Sequence, residues 1–471
     1  MTISLILIPI LLVFLLNIPR VSGKTAYYAA LAFFVWQLAS VFFPVFGSQQ
    51  FADLASRVFA INIEADGISK IMIVSASIAG FASLITSKVF AESDKRLFSL
   101  SNLMLLCMAG INGLVFTRDI FTMYVFIEVI AVASYIMIAL DKTEGALEGG
   151  FKYLIISSIA TVMMLFSVAL FFLAAGGTSF AEIADAVKNY GGNGMILVAI
   201  ILFMCGLLIK GGLVPFHSWL SGAYSQAPAG VSVFLGGIIT KTTGIFTLIR
   251  FLYSVTGFTH EIRTVLLVVG ALSVVAGALI AIVQKDFKRV LAYSSISQVG
   301  YIVLALGAGT GFGVAAALFH IFNHAVFKSL LFVNSASVEK QTGRLDVDSF
   351  GGLGNKMPIT SGTTAIAFLS ASGIPPFSGF WSKLLIVLAL WTAGLQGYAI
   401  LAVLASLLTM AYFVTLQKKV FFGELSGSVE NVSEAPKSLT GTAVVLGGIT
   451  IVVGLLFPLV LKYFIFPAAG I

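Results

Sequence analysis

Apolar stretches of about twenty residues recur along this chain, parted by short polar or Gly/Pro-rich joints. A helix needs roughly that length to cross a hydrocarbon core of ~30 Å. The pattern predicts about fourteen spans, near 3–19, 26–46, 67–89, 98–117, 119–140, 152–175, 194–220, 229–255, 262–284, 290–308, 312–337, 359–391, 396–422 and 439–465. Two spans break the apolar pattern with a lysine. Lys210 sits in ILFMCGLLIKGGLVPFHSWL, beside Gly211, Gly212 and Pro215. Lys383 sits in IAFLSASGIPPFSGFWSKLLIVL, after Gly373, Pro375 and Pro376. These breaks fall in the seventh and twelfth spans, and an odd offset of five reverses a segment's direction. The expected fold is therefore an all-α polytopic membrane protein with two inverted five-helix repeats, spans 4–8 and 9–13, each with one broken helix.

Composition agrees. The 471 residues are 59% hydrophobic and 10% charged, against roughly 25% charged in soluble domains. Mean hydropathy is +1.05. No charged stretch is long enough for a soluble module, so residues 1–471 are expected to form one integral membrane domain. Within it, 1–97 carry three helices, 98–255 the first repeat, 262–422 the second and 439–471 the last helix. The segment Ile3–Leu16 resembles a signal-peptide core but lacks a basic leader and a small-residue cleavage site, and is expected to be a mature helix.

Charge sets the expected orientation. With the N-terminus outside and spans alternating, sixteen of the 27 Lys+Arg fall on the cytoplasmic side and seven outside. Four lie in the membrane: Lys210, Lys241, Lys328 and Lys383. That bias fits the positive-inside rule, with both termini on the outer side of a cell (inner or plasma) membrane. The net charge of +7 reflects this bias and no nucleic-acid partner. Cys107 and Cys205 are isolated, so they cannot ligate an iron–sulfur cluster, and no Walker A or dinucleotide fingerprint occurs.

Intramembrane charges are costly and mark functional sites by default. Glu128 lies nine residues past Asp119, ~14 Å deep at 1.5 Å per residue. Lys241 and His324 each lie twelve residues into their spans, ~18 Å deep by the same rise. His320, His324 and Lys328 recur at one-turn intervals and share a face. A desolvated lysine beside a movable carboxylate is a switchable proton site, and histidine relays protons through two nitrogens. Helix ends at the breaks leave backbone groups free to hold water. Structural readings stand beside these. Glu128–Lys210 can be an ion pair fastening two helices, and the other lysines can snorkel to an interface. Either histidine can be a packing donor, and His217 can satisfy the break's backbone. The histidine pair lacks a third ligand for zinc.

Four stretches resemble a known family: KGGLVPFHSWLSGAYSQAPAGVSVFLGGIITKTTGIFTLIRF from Lys210, DFKRVLAYSSISQVGY (286–301), HIFNHAVFKSLLF (320–332) and GIPPFSGFWSK (373–383). The family is that of proton-conducting antiporter-like subunits. It comprises the large membrane-arm subunits of complex I, the large Mrp antiporter subunits and their relatives in membrane-bound hydrogenases. The likeness runs from span 4 to span 13. It implies fourteen helices and a proton-translocation set of Glu128, Lys210, Lys241, His320, His324, Lys328 and Lys383. It implies a shorter member without the lateral helix of the distal complex I subunit. It further implies no cofactor in this chain, with any iron–sulfur or nickel–iron centre held by partner subunits.

The functional expectation is a subunit carrying protons, or exchanging them with sodium, in a larger membrane complex. A proton enters near Lys210 or Lys241, passes His324 to Lys383 and leaves outward, with Glu128–Lys210 gating the loading. The short length and the WSK ending of the twelfth-span motif lean toward a redox-driven pump of the complex I or hydrogenase type. An Mrp-type antiporter is the alternative within the family. An independent small-solute transporter and a structural scaffold are the rivals outside it.

Overall fold

The computed structural model describes residues 2–18, 21–42, 62–424 and 431–471. Arg20, Arg57 and the ends of the first two expected spans lie outside the described residues. The helices are α1 Thr2–Asn17, α2 Gly23–Ser40, α3 Gly67–Phe90, α4 Asp94–Phe116, α5 Ile120–Ile138 and α6 Glu144–Ala175. There follow α7 Phe180–Tyr190, α8 Gly194–Lys210, α9 Ser218–Gln226, α10 Ala229–Thr256, α11 His260–Ile282 and α12 Phe287–Gly307. The last are α13 Gly311–Thr342, α14 Pro358–Ser372, α15 Ser378–Thr392, α16 Gln396–Phe421, α17 Lys437–Leu455 and α18 Phe457–Ala468. Among the described residues ten helices are long and apolar enough to cross a membrane, and α1, α8, α15 and α18 are shorter apolar helices. The chain is an all-helical, multi-pass membrane protein.

The helices sort by burial. The most hydrophobic stretch of α10 is wholly buried, and those of α12 and α13 are 94% buried. The outer helices α6 and α16 are only 39% buried, with apolar side chains such as Phe166 and Leu407 turned outward. A lipid-facing helix gains nothing from polar groups on its outer face. The long polar side chains therefore collect on the central helices.

The two spans expected to be broken are each divided into a pair of helices. After α8, Gly212 takes the left-handed conformation, its N–H bonds to Ile209 O, and Leu213 N–H bonds back to Leu208 O. After α14, Gly373 does the same, with its N–H on Ser370 O and Ile374 N–H on Leu369 O. Each is the glycine-dependent Schellman end of a helix, after which proline cannot continue the ladder. The C-terminal helix is also divided, between α17 and α18. The amphipathic α7, capped by Ser179 and Glu182, is a short helix that span-counting passes over.

Two stretches share their backbone plan at a constant distance along the chain. Asp119 and Asp286 cap α5 and α12. Lys142 and Gly309 are both left-handed. Thr143 and Thr310 cap α6 and α13, each 32 residues long, and Gly176 and Gly343 end them in the left-handed conformation. Isolated bridges join Asp119 to Ser179 and Asp286 to Asp346.

Ion pairs gather at the two ends of the bundle. At one end of the bundle Arg96 pairs with Asp141, Lys288 with Glu339 at 2.9 Å, and Lys285 and Lys419 with Asp348. At the other end Arg250 grips both oxygens of Asp66, which also meets Arg118 at 3.2 Å. Arg250 and Lys288, expected as flanking charges, are each only 2% exposed. Burial pushes the Asp66 carboxyl up. The Arg250 hydrogen bonds, the charges of Arg250 and Arg118, and the Ser69 N–H outweigh it and hold the carboxyl well below its usual range.

Asp66→Ala strips the counter-charge from a buried guanidinium. A loss of roughly 2–4 kcal/mol is expected, against less than ~1 for the exposed partner in Glu64→Ala. The readout is the thermal midpoint of the detergent-solubilised protein. Because the folded carboxyl is depressed, this contribution stands fully above the ordinary Asp range near ~4 and fades as pH falls below it.

Candidate functional site

The first group forms around α8. Lys210 is its last residue, where a cation meets the negative end of the helix dipole. The side chain is 1% exposed, and Nζ donates to Ser157 Oγ of α6 at 2.5 Å. Glu128 Oε1 of α5 lies 3.8 Å away, at salt-bridge but not hydrogen-bond range. The Glu128 side chain is 34% exposed, on the outward face of α5 that also carries Phe121 and Val125. The pair is therefore lopsided, with a sealed lysine and a partly exposed glutamate whose Oε1, facing the lysine, is itself buried without a hydrogen bond.

The second group is Lys241 alone. It opens a stretch of wide, π-type turns within α10, Lys241–Phe246, following another at Leu235–Ile239. Such turns occur frequently at functional sites. Fully buried, Lys241 donates to Gly236 O, five residues back. No carboxylate stands within ion-pair distance of it among the described residues. Small residues let α10 sit close to its neighbours. A Cβ at Gly244 would lie 2.4 Å from the Gly211 backbone at the first break, and one at Gly237 would lie 2.6 Å from Ser329 Oγ of α13.

The third group joins α12, α13, α15 and α16. Lys328 donates to Leu291 O at 2.8 Å and to Ser294 Oγ. One turn further along α12, Gln298 Oε1 lies 3.1 Å from His320 Nε2, and Ser382 Oγ lies 2.9 Å from Nδ1. Ser382 Oγ also reaches Gly379 O at 3.1 Å. Its single proton can go to either acceptor, so His320 can hold one proton or two with both ring nitrogens satisfied. Lys383 lies 4.4 Å over the Tyr301 ring and 3.4 Å from Ser406 Oγ, which meets Tyr301 Oη at 3.0 Å. His324 stacks on His320 at 6.2 Å, with neither ring nitrogen bonded to protein.

No hydrogen bond or ion pair joins the three groups among the described residues. Between them α13 carries a run of fully buried polar atoms without protein partners: Asn323 Oδ1, both His324 nitrogens, Ser329 Oγ, Asn334 Nδ2 and Ser335 Oγ. Buried polar atoms are rarely left unsatisfied, and ordered water is the usual partner. His217, in the turn after the first break, likewise has Nδ1 unpartnered. The partners that sequence reasoning passed over are Ser157, Ser294, Gln298, Tyr301, Ser382 and Ser406. Neutral side chains in apolar helices give no charge signal, although Ser294, Gln298 and Tyr301 recur at helical spacing on one face. Among the described residues no three His, Cys, Asp or Glu cluster as a metal site would need.

Residues 117–409 match the family described as NADH:quinone oxidoreductase/Mrp antiporter, TM. The chain is 32% identical to the D-type subunit of a Na(+)/H(+) antiporter of Alkalihalophilus pseudofirmus, over 84% of this chain and 80% of that one. It is 34% identical to the N-type subunit of an NADH-quinone oxidoreductase of Desulforudis audaxviator, over 75% and 72%. Among solved structures it superposes on a chain of the membrane-bound sulfane sulfur reductase, an archaeal respiratory membrane complex. There the TM-score is 0.87 and the identity 27%, covering 100% of this chain and 97% of that one.

High-resolution cryo-electron microscopy of the purified protein should reveal ordered water within hydrogen-bonding distance of His324, Ser329 and Ser335. A dry α13 seam at a resolution that resolves water elsewhere would contradict this reading of the unpartnered atoms.

Proposed function

The chain belongs to the NADH:quinone oxidoreductase/Mrp antiporter family, and we propose that it translocates protons as the antiporter-like membrane subunit of a multisubunit, redox-driven pump. The observation that carries this reading is the set of sealed cations. Lys210, Lys241, Lys328 and Lys383 are all buried, and only Lys210 has a carboxylate in reach among the described residues. Unpaired charge in a low-dielectric interior is costly, so a purely structural fate for four such lysines is disfavoured. Groups that gain and lose protons account for them.

In this proposal a proton loads near Lys210 or Lys241, crosses water along α13 past His324 and reaches Lys383 through His320 and Tyr301. Glu128 gates the first step. Drawn to Lys210 it favours the charged lysine, and drawn away it lets the proton go. The Glu128 side chain is 34% exposed within an apolar helix, although its Oε1 is buried toward Lys210. Such a group needs cover from a neighbouring subunit, which supports both an assembly contact at α5 and a route for coupling.

The shared backbone plan of 119–179 and 286–346, and the matching helix ends at Gly212 and Gly373, support two inverted five-helix repeats, 98–255 and 262–422, within a fourteen-span fold. The cation-rich end, with Arg96, Lys288 and Lys419, is assigned to the cytoplasm, which puts both termini outside. Redox energy would reach this chain from partner subunits. The similarity to subunits of two respiratory assemblies supports that driver. The wider alignment with the D-type antiporter relative favours an Mrp-type assembly as the second reading, with sodium as the counter-ion.

Glu128→Ala and Lys210→Ala should each reduce proton transport by the assembly in vesicles by at least ~100-fold, the scale of a lost proton-transfer group. Assembly, read by size-exclusion chromatography, should be unchanged. Undiminished transport would overturn the assignment. Co-purification of the tagged chain with iron–sulfur subunits would support the redox driver, and co-purification with small membrane subunits alone would replace it with the Mrp-type reading.

A further inference from the structure

We propose that the cleft between α2, α3 and α17 is a binding site for an anionic diacyl phospholipid. Two adjoining hollows meet there and share Ile85 and Ser438. The larger, of about 480 Å³, is an apolar trough walled by Phe34, Phe81, Val445 and Ile449. The second, of about 410 Å³, is rimmed by Tyr27 and Lys88, with Lys437 standing at the mouth of the first.

The two ends differ in chemistry. Lys88 lies in the last turn of α3 and Lys437 is the first residue of α17, so both cations stand at the same edge of the bundle, the end that carries Arg96 and Lys288. Neither has a carboxylate within ion-pair distance among the described residues. Lys88 Nζ is held 4.6 Å over the Tyr27 ring and 4.9 Å over the Tyr28 ring, and donates to Tyr28 Oη at 3.2 Å. That leaves ammonium protons free and the Tyr28 hydroxyl hydrogen available to an acceptor. Two lysines, a phenol and the exposed Ser438 hydroxyl form a cationic, donor-rich rim suited to a phosphodiester.

Below the rim the trough is mostly hydrocarbon, and the Ser77 and Thr442 hydroxyls on its wall are spent on the backbone oxygens of Ile73 and Ser438. From Lys437 to Ile449 the wall runs twelve residues along α17, ~18 Å at 1.5 Å per residue. Half of a ~30 Å hydrocarbon core is close to that length, so one leaflet's acyl chain fits the trough with its phosphate at the rim. A neutral lipid would satisfy the trough and leave both lysines without a counter-charge. A transmembrane helix from a partner would need an acidic residue at this depth.

The test uses the intact assembly in phosphatidylcholine vesicles containing a trace of photoactivatable phosphatidylglycerol. Cross-links should fall within 77–89 and 437–449. Lys88→Ala with Lys437→Ala should lower labelling about 30-fold, since two surface lysines contribute roughly 1 kcal/mol each. Lys88→Arg with Lys437→Arg should keep it. Unchanged labelling in the double alanine variant would overturn the proposal. So would equal labelling by photoactivatable phosphatidylcholine, or a cleft cross-linked to a partner subunit instead of lipid.

Discussion

Everything in this bundle answers to the cost of keeping ammonium groups dry. Lys241, Lys328 and Lys383 lie in the interior of a membrane protein with no carboxylate within ion-pair distance among the described residues. Neutral partners take the place of counter-ions: a carbonyl for Lys241, a carbonyl and a hydroxyl for Lys328, an aromatic face and a hydroxyl for Lys383. These partners sit on α10, α12 and α16. That requirement accounts for the layering, with apolar helices such as α6 and α16 shielding α10, α12 and α13 from lipid.

The helix breaks follow from the same requirement. A continuous α8 or α14 would consume its backbone groups internally and leave nothing polar at mid-depth. Ending each helix at a left-handed glycine places Lys210 at a helix terminus and packs the Lys383 stem 3.0 Å from the position a Cβ would take on Gly373. The first break also receives α10 at Gly244. The lone central lysine thus shares a helix with the residues that touch the first lysine's terminus. Geometric coupling between Lys210 and Lys241 can run through backbone contact without any hydrogen bond between them.

The residues most legible in the sequence are those that violate their surroundings. Lysines in apolar helices, glutamate at mid-span and Gly/Pro pairs announce the buried ionisable groups and both breaks on their own. Less legible is whatever resembles ordinary helix. Ser157, Gln298, Ser382 and Ser406 read as small or neutral packing residues, and only the fold shows that they touch buried lysines or His320. Arg250 misleads for the opposite reason. Its place near the end of α10 suggests a flanking cation, yet Asp66, far away in sequence, draws it into the interior. The amphipathic α7 escapes notice because an eleven-residue helix lying outside the spans leaves no hydropathy signal.

Proton flux through the intact assembly carrying Lys241→Met tests the central claim most directly, because Lys241 stands alone between the two paired groups and touches no expected partner interface. Transport should fall to the level of empty vesicles with the assembly intact. An arginine at the same place should fail as well, since guanidinium does not release its proton. Transport at the unmodified rate would mean that protons do not pass through the buried lysines, and the functional reading would fall with it.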